Sequence, residues 1–376
     1  MARPSLLIVS FSPIVSDARV LKQLALFRED YDVTTVGHGP TPAGVVEHLR
    51  IPDEFAIWRY PRVDVMLRRY RRAYWGNAAV AAAMTALAGR SFDVALADDV
   101  DAVAVALATN PRCGVHADLH EYSPRQHEES WKFRLFVKPF LEWVCRTYVS
   151  EASSWTTVSN GLAREYARNF GFRPEIVTNA APFVEAEPTP VHDPIRIVHS
   201  GAALRDRHLD ILIEGVQTAR SATLDLFVTP NDSAYLGELR AAADASGGRV
   251  RLHDPVPYAE LAETLRRYDI GVHILPPANF NNRWALPNKL FDYVQARLGV
   301  IVGPSPEMAQ YVRDYGLGLV TDDFSARELT SVLDEVTTAE VTAFKESAHR
   351  HARELSSESQ VKLWRAAIER LLASEA

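Results

Sequence analysis

Cysteine is scarce in this chain: Cys113 and Cys145 are the only two among 376 residues. They lie far apart, in no Cys-x-x-Cys or Cys/His spacing, which excludes a disulfide framework and argues against a structural zinc site. A reducing cytoplasm suits such a chain. Long apolar runs are missing too, since none approaches the ~18 residues of a membrane span. The apolar run in "MARPSLLIVSFSP" is too short for a signal peptide. Nor is there a large excess of one charge. Lys plus Arg number 41 against 48 Asp plus Glu, so nothing draws the whole chain to nucleic acid and any anion must be met locally. There is no solenoid-length repeat and no low-complexity tract. No Gly-x-Gly-x-x-Gly follows the first strand-like run, which weakens a nicotinamide-dinucleotide reading.

What is present is an alternation of short β-branched runs with longer helical patterns. Residues 5–11, 32–37, 93–98, 114–120 and 154–159 read as buried strands with helices between several of them. That is the pattern of a parallel sheet covered on both faces. A proline-rich, acidic, aperiodic stretch at 182–194 reads as a linker. A second series follows at 195–201, 223–228, 249–254, 269–275, 299–303 and 316–321. The expectation is an α/β chain of two Rossmann-like domains in tandem, with boundaries at 1–185 and 190–357. A final helix, 358–374, carries Val361, Trp364, Ala367, Ile368 and Leu371 on one face and needs a surface to pack on. Ligands of open α/β sheets bind beyond the carboxyl ends of the strands, and with two such domains the cleft between them is the default site.

Several segments at strand ends carry polar residues. After the first strand, "SFSPIVSDARVLKQ" places Ser16 and Asp17 in a loop that opens a helix; Asp17 either caps it or helps present backbone N–H groups to a phosphate or an acceptor. Asp99-Val100-Asp101 resembles an Asp-x-Asp metal motif, but at a helix start two carboxylates serve the dipole equally well. No metal is expected. His120 and Glu121 fall just beyond a strand, beside Asp118, where a histidine tuned by carboxylates can donate to a sugar hydroxyl or a phosphate. A purely structural His120 is the alternative. His116, His120 and His127 are not spaced for a metal. Gly201, then Arg205 and Arg207, then a helix is the order of a diphosphate site. The turn Pro255–Tyr258, through Val256, is placed to hold a flat ring by backbone contacts, though turn chemistry explains its prolines as well.

The segment "ALPNKLFDYVQARLGVIVG" sets Leu290, Phe291, Val294 and Leu298 on one helical arc and Asn288, Lys289 and Asp292 on another. Pro287 suits the first helical position. A helix start with a lysine beside it makes an anion site, an ordinary capped surface helix being the alternative. Finally, Arg68, Arg69, Arg71 and Arg72 among Tyr70, Tyr74 and Trp75 could lie on an anionic membrane or grip an acidic or lipid-linked acceptor, or simply form a solvated face.

Together these segments resemble a glycosyltransferase of the GT-B fold, most similar to the retaining family 4, along nearly the whole chain and in the family's order. "SDARV" is similar to that family's Asp-x-Arg-Val stretch, "DLHE" to its Asp-x-His-Glu segment, "TVSNG" to its Val-Ser segment and "HSGAALRDRH" to its phosphate loop. "HDPVPYAELAETLRRYDIGVHI" is similar to its base-side segment and "LPNKLFDY" to its donor-binding helix. The resemblance implies two domains facing each other across a cleft, the final helix crossing back to the first, and a nucleoside diphosphate sugar as co-substrate, with no cofactor and no essential metal. It implies that His120 contacts the transferred sugar and that Arg207 and Lys289 hold the diphosphate. Gly201, Val256, Asn282, Asn288, Leu290 and Asp292 complete the donor set, and Ser16, Asp17 and Glu121 the acceptor or phosphate loop. A hydroxyl acceptor, whether glycan, lipid-linked or small molecule, is expected with it; the scarce cysteines and the arginine-rich stretch set the expected location as cytoplasmic, with peripheral contact at the inner face of the membrane as an option. The alternatives are a non-catalytic nucleotide-sugar-binding protein and an epimerase of nucleoside diphosphate sugars. The chain departs from the family at three places. Asp292 stands for the usual Glu, Trp284 occupies the position of the other acid of the Glu-x7-Glu pair, and Ala202 replaces a cation after Gly201. Asn281, Asn282 or Arg283 is then the candidate to make the missing sugar contact.

Overall fold

The computed structural model describes residues 3–374. Two fully parallel sheets organise the chain. The first contains β1 (Ser5–Pro13), β2 (Asp32–His38), β3 (Glu47–Arg50), β4 (Val94–Asp98), β5 (Val115–Leu119), β6 (Ser154–Thr157) and β7 (Glu175–Ile176), in the order β3-β2-β1-β4-β5-β6-β7. The second contains β8 (Ile195–Ala202), β9 (Ala222–Thr229), β10 (Val250–His253), β11 (Ile270–His273), β12 (Gly299–Val302) and β13 (Gly318–Val320), in the order β10-β9-β8-β11-β12-β13. Both orders reverse direction beside their first strand, between β1 and β4 and between β8 and β11. Ligands of doubly wound sheets sit beyond the carboxyl ends at such points.

Parallel strands need crossover helices on both faces, so the central strands are buried on both sides. In β1, Leu6, Leu7, Ile8 and Val9 are all inaccessible, and β4 and β5 are buried along their whole lengths. β3 and β7 lie at the edges of the first sheet, short and only partly buried, and their lack of an apolar run is why the sequence pattern shows no strand there.

The chain divides into two compact units. One runs to Thr178 and takes in Asn279–Asn281 and everything from Gln360; the other contains Asn179–Ala278 and Asn282–Ser359. The division at Thr178 therefore precedes the proline-rich stretch expected as a linker. That stretch is bound into the second unit: Gln295 Oε1 accepts from the Val184 N–H at 3.1 Å, Arg297 Nη2 donates to the Val184 carbonyl at 2.6 Å, and the Arg353 guanidinium lies 4.1 Å from the Phe183 ring centre. The final helix breaks into Ser357–Gln360 and Lys362–Ala373. Trp364, Ile368 and Leu371 join the first unit's core with Leu6, Ile8, Val20 and Leu96. Cys113 and Cys145 are both buried and in no disulfide.

Candidate functional site

In the first unit the carboxyl edge at the β1/β4 reversal carries a charged network. Asp17 caps the Ala18–Phe27 helix, accepting from the Arg19 and Val20 N–H groups at 3.0 and 3.3 Å. The cap fixes the first turn, and Arg19 then reaches the end of β5: its Nε and Nη2 each donate to Asp118 at 2.7 Å. One turn on, Gln23 Nε2 donates to Asp98 at 2.8 Å and to Asp118 at 2.9 Å. Thr156 donates to Asp118 as well, at 2.7 Å, and Trp364 lies over the Arg19 guanidinium. Every charge here is buried, so each needs its partner. The Asp-x-Arg and Asp-x-His segments, about a hundred residues apart in sequence, are thus two halves of one ion pair.

His120 is the group that network holds. Its Nε2 lies 3.3 Å from Asp98 Oδ1 and 3.6 Å from Asp118 Oδ2, and its Nδ1 lies 3.8 Å from Asp99 Oδ2. Burial alone would depress the imidazole, but Asp99, Asp118 and Asp98 outweigh it and hold His120 well above the usual histidine range. The surrounding carboxylates thus favour the protonated imidazole, which donates with both nitrogens. Burial raises Asp98 to about 6, against the hydrogen bond from His120 that lowers it. Asp99 is constrained differently: at φ 68°, ψ 165° it occupies a region that is essentially glycine-only, at a cost of about 1–3 kcal/mol. Its Oδ1 accepts the His120 backbone N–H at 3.2 Å.

Asp101 is engaged by a tyrosine: its carboxylate accepts from the Tyr60 hydroxyl at 3.1 Å. Asp98, Asp118 and His120 are the one set of metal-type ligands that converges among the described residues, and two of the three carry the ion-pair network. Glu121 accepts from Asn281 Nδ2 at 3.4 Å, while Asn281 Oδ1 accepts the Tyr122 N–H at 3.0 Å. Ser16 is exposed and turned back onto the Pro13 carbonyl.

In the second unit the β8/β11 reversal carries a cluster of cations. Lys289 extends from the Asn288–Gln295 helix to Gly201 at the end of β8. A Cβ on Gly201 would lie 3.0 Å from Lys289 Nζ, so any other residue there would push the ammonium aside. His199 and His273, on adjacent strands, lie beneath with ring centres 5.6 Å apart. Burial and then Lys289 depress His199 to about 3, and burial, Lys289 and His199 hold His273 well below its ordinary range. Both are neutral. Burial and Arg207 lower Lys289 itself to about 8, while Asp292 raises it. Arg207 sits in the Arg205–Arg207 turn after β8. Arg205 is instead spent on the surface, paired with Glu238 at 2.7 Å.

Pro287 stands one place earlier than expected: its extended ψ of 157° makes it the cap, and Asn288 is the first helical residue. Asn288 is exposed. Leu290 is core, and its N–H donates to the Pro287 carbonyl at 3.2 Å. Asp292 is nearly buried and accepts from the Tyr258 hydroxyl at 3.3 Å. Val256 lies in the loop before the Tyr258–Leu265 helix, and Asn282 is buried in the short Phe280–Arg283 helix. Arg283 lies against the Trp284 ring at 5.7 Å.

No family profile and no curated protein matches the chain by sequence. Solved structures do match it. Sucrose-phosphate synthase from Thermosynechococcus elongatus superposes with a TM-score of 0.73 at 12% identity, over 99% of this chain and 100% of that one. An alpha,alpha-trehalose 6-phosphate synthase from Burkholderia multivorans gives 0.68 at 11%, over the whole of both chains. HepE from Anabaena, in complex with UDP-glucose, gives 0.68 at 13%, over 99% of this chain and 100% of that one. The fold is GT-B. At these identities the GT-B neighbours establish the architecture, and the chemistry has to be argued from the two clusters.

Sequence reasoning missed Arg19, Gln23 and Asp98 on one edge and His199 and His273 on the other. The two histidines close adjacent apolar runs, "IRIVH" and "IGVH", and a polar residue ending two neighbouring strands was the available signal.

Proposed function

We propose that the protein is a retaining glycosyltransferase, moving a sugar from a nucleoside diphosphate sugar to a hydroxyl acceptor. The observation that carries this reading is Lys289, held against Gly201 above two neutral histidines at the switch point of the second sheet. Lys289 is half-buried with Arg207 as a cationic neighbour and only Asp292 opposing the repulsion, an arrangement that an incoming diphosphate relieves. Lys289, Arg207 and the N-terminus of the Asn288–Gln295 helix take the diphosphate, Asp292 the ribose, and the loop at Val256 the base. His120, as a cation, donates to a hydroxyl of the transferred sugar.

In the reaction the bond from the anomeric carbon to the diphosphate breaks while the acceptor oxygen bonds on the same face. The departing phosphate oxygen takes the acceptor's proton. No protein nucleophile is needed, and the chain's cations stabilise the charge that grows on the leaving group. We further propose that no metal is required: activity is expected to survive a chelator. UDP-sugars are the first donors to test, because HepE was solved with UDP-glucose. A melting-temperature panel of UDP-, GDP-, dTDP- and ADP-sugars identifies the donor by mass action, and product analysis then reads the reaction. Transfer to an acceptor with retained configuration supports the proposal. Conversion of the donor without any acceptor would make the protein an epimerase. Trp284, at the position of a family acid, favours one second reading, a nucleotide-sugar-binding protein without turnover, for which the donor binds and is never consumed.

A further inference from the structure

Most of the large apolar side chains that the first unit leaves in solvent are gathered on two stretches of chain. Among the described residues, eleven large hydrophobic side chains are exposed, and Trp58, Val63, Met66, Leu67, Trp131 and Leu135 are six of them. They fall on two short stretches, 58–67 and 131–135; Trp58, Met66 and Trp131 line a groove of about 920 Å³ with Val65, Phe133 and Phe136, and Val63, Leu67 and Leu135 are exposed on the same stretches. Trp58 is 71% exposed and Trp131 58%. A contiguous apolar surface of this kind marks an interaction site. Behind it Tyr60, which lines the groove, and Tyr70 pack edge-on against Phe140 at 4.8 and 5.8 Å between ring centres.

The rim is cationic. Residues 57–77 contain six arginines against the single acid Asp64, and 131–138 add Lys132, Arg134 and Lys138 with no acid, in a chain whose net charge is -7. Asp64 is largely buried and paired with Arg72 at 3.3 Å, so it does not offset the outward arginines. Arg68, Arg69, Arg71 and Arg72 line a second hollow beside Trp143. Exposed tryptophans bordered by arginines, with other aliphatics between, match the layering of an anionic bilayer, where indoles sit at the headgroup level and cations meet phosphates. A protein partner would not require that separation of apolar tips from a cationic rim.

The position is informative as well. Tyr60 lines the groove and donates to Asp101, three residues past the end of β4, and Tyr74 donates to the Asp101 carbonyl at 2.5 Å. The groove thus lies beside the same carboxyl edge that carries His120. We propose that this face docks on an anionic lipid bilayer and that the acceptor hydroxyl is borne by a lipid of that bilayer. The second half rests on the glycosyl-transfer reading; the first does not.

Flotation of the full chain with phosphatidylcholine vesicles, with and without phosphatidylglycerol, tests the docking. Binding is expected only with the anionic lipid, falling as salt rises. Trp58→Ser with Trp131→Ser, and separately Arg68→Glu with Arg71→Glu, should each weaken it roughly ten-fold or more. All four side chains are exposed, and an unchanged melting temperature confirms that the variants fold. Absence of binding, equal binding to neutral vesicles, or binding indifferent to the tryptophans overturns the docking. So does a concentration-dependent dimer that the tryptophan variant abolishes, which would make the face a contact between two copies. Donor-induced melting shifts, measured on the same samples, read the transferase proposal separately. With the donor known, labelled sugar appearing in the organic phase of a lipid extract supports a lipid acceptor, and transfer confined to water-soluble acceptors overturns it.

Discussion

Lys345 and Lys289 both belong to the second unit, and their surroundings differ in kind. Lys345 is 1% exposed and fully provided for, bonding Thr189 at 2.9 Å and the Tyr268 carbonyl at 3.1 Å, with Asp269 3.4 Å away. Lys289 faces Arg207 and two neutral imidazoles. The first is structural, and the second, opposed only by Asp292, is the one proposed to take the diphosphate. Lys289→Ala is expected to lower kcat/KM about 10²- to 10³-fold, the usual loss on removing a group that stabilises transition-state charge. Steady-state kinetics with the donor found by melting shifts check it. Because burial and Arg207 hold the free protein's Lys289 at about 8, kcat/KM should fall as pH rises through that value, when the ammonium loses its charge. Lys289→Arg should remove the alkaline fall. The folding linkage runs the opposite way: with the folded value below the unfolded one, the unfolded chain binds more protons between the two, so stability rises with pH across that window. Lys289→Met should therefore melt higher than wild type at pH 7, and the difference should close at high pH.

Glycine and ring geometry decide how the elements stack. A Cβ on Gly271 of β11 would lie 2.2 Å from Cγ of Tyr293, so the Asn288–Gln295 helix lies almost on the strand backbone. Gly271→Ala is expected to destabilise by about 1–3 kcal/mol, the usual cost of overpacking, measured by urea unfolding. Gly201→Ala meets the movable end of Lys289 instead. At φ 157° the added Cβ also strains the backbone, so Gly201→Ala should weaken donor binding and lower the unfolding midpoint modestly. Breaking the Arg19–Asp118 pair by Arg19→Met strands a buried carboxylate, at a cost of about 3–5 kcal/mol, and frees His120 from one side of its cage. Element-level patterns were where the sequence spoke most clearly. The eleven runs read as strands all contain strands, most clearly where the central parallel strands are buried on both faces and apolar along their length. β3 and β7 left no such run, and the β1-edge network was illegible for a related reason. Arg19, Gln23 and Asp98 become partners only when strands about a hundred residues apart are laid side by side. Lys289 and Gly201 were legible one at a time, on the strength of a helix start and a strand end, but not the two histidines beneath them.

Across the whole molecule, the two sheets repeat one topology, each with its reversal beside its first strand, and they have received different chemistry there. The first sheet's edge holds a cation inside carboxylates; the second's holds cations over neutral rings. If the donor's nucleotide and diphosphate belong to the second unit, hydrogen exchange should show it directly. Bound nucleotide is expected to slow exchange in 199–208, 254–258 and 287–292, with the strands of the first unit unaffected. Protection concentrated around β1 and β4 would contradict the assignment of the donor.

The first unit's core is closed by Trp364, Ile368 and Leu371, more than 180 residues after the stretch that ends at Thr178. During synthesis, then, the second unit is complete while the first still lacks a wall. Until the last helix emerges, the apolar surface around Leu6 and Ile8 and the Arg19 guanidinium lack the indole that covers them. The earlier-made half of the protein is the later to be finished, and a ribosome stalled short of residue 364 would display a half-built sheet to chaperones and proteases.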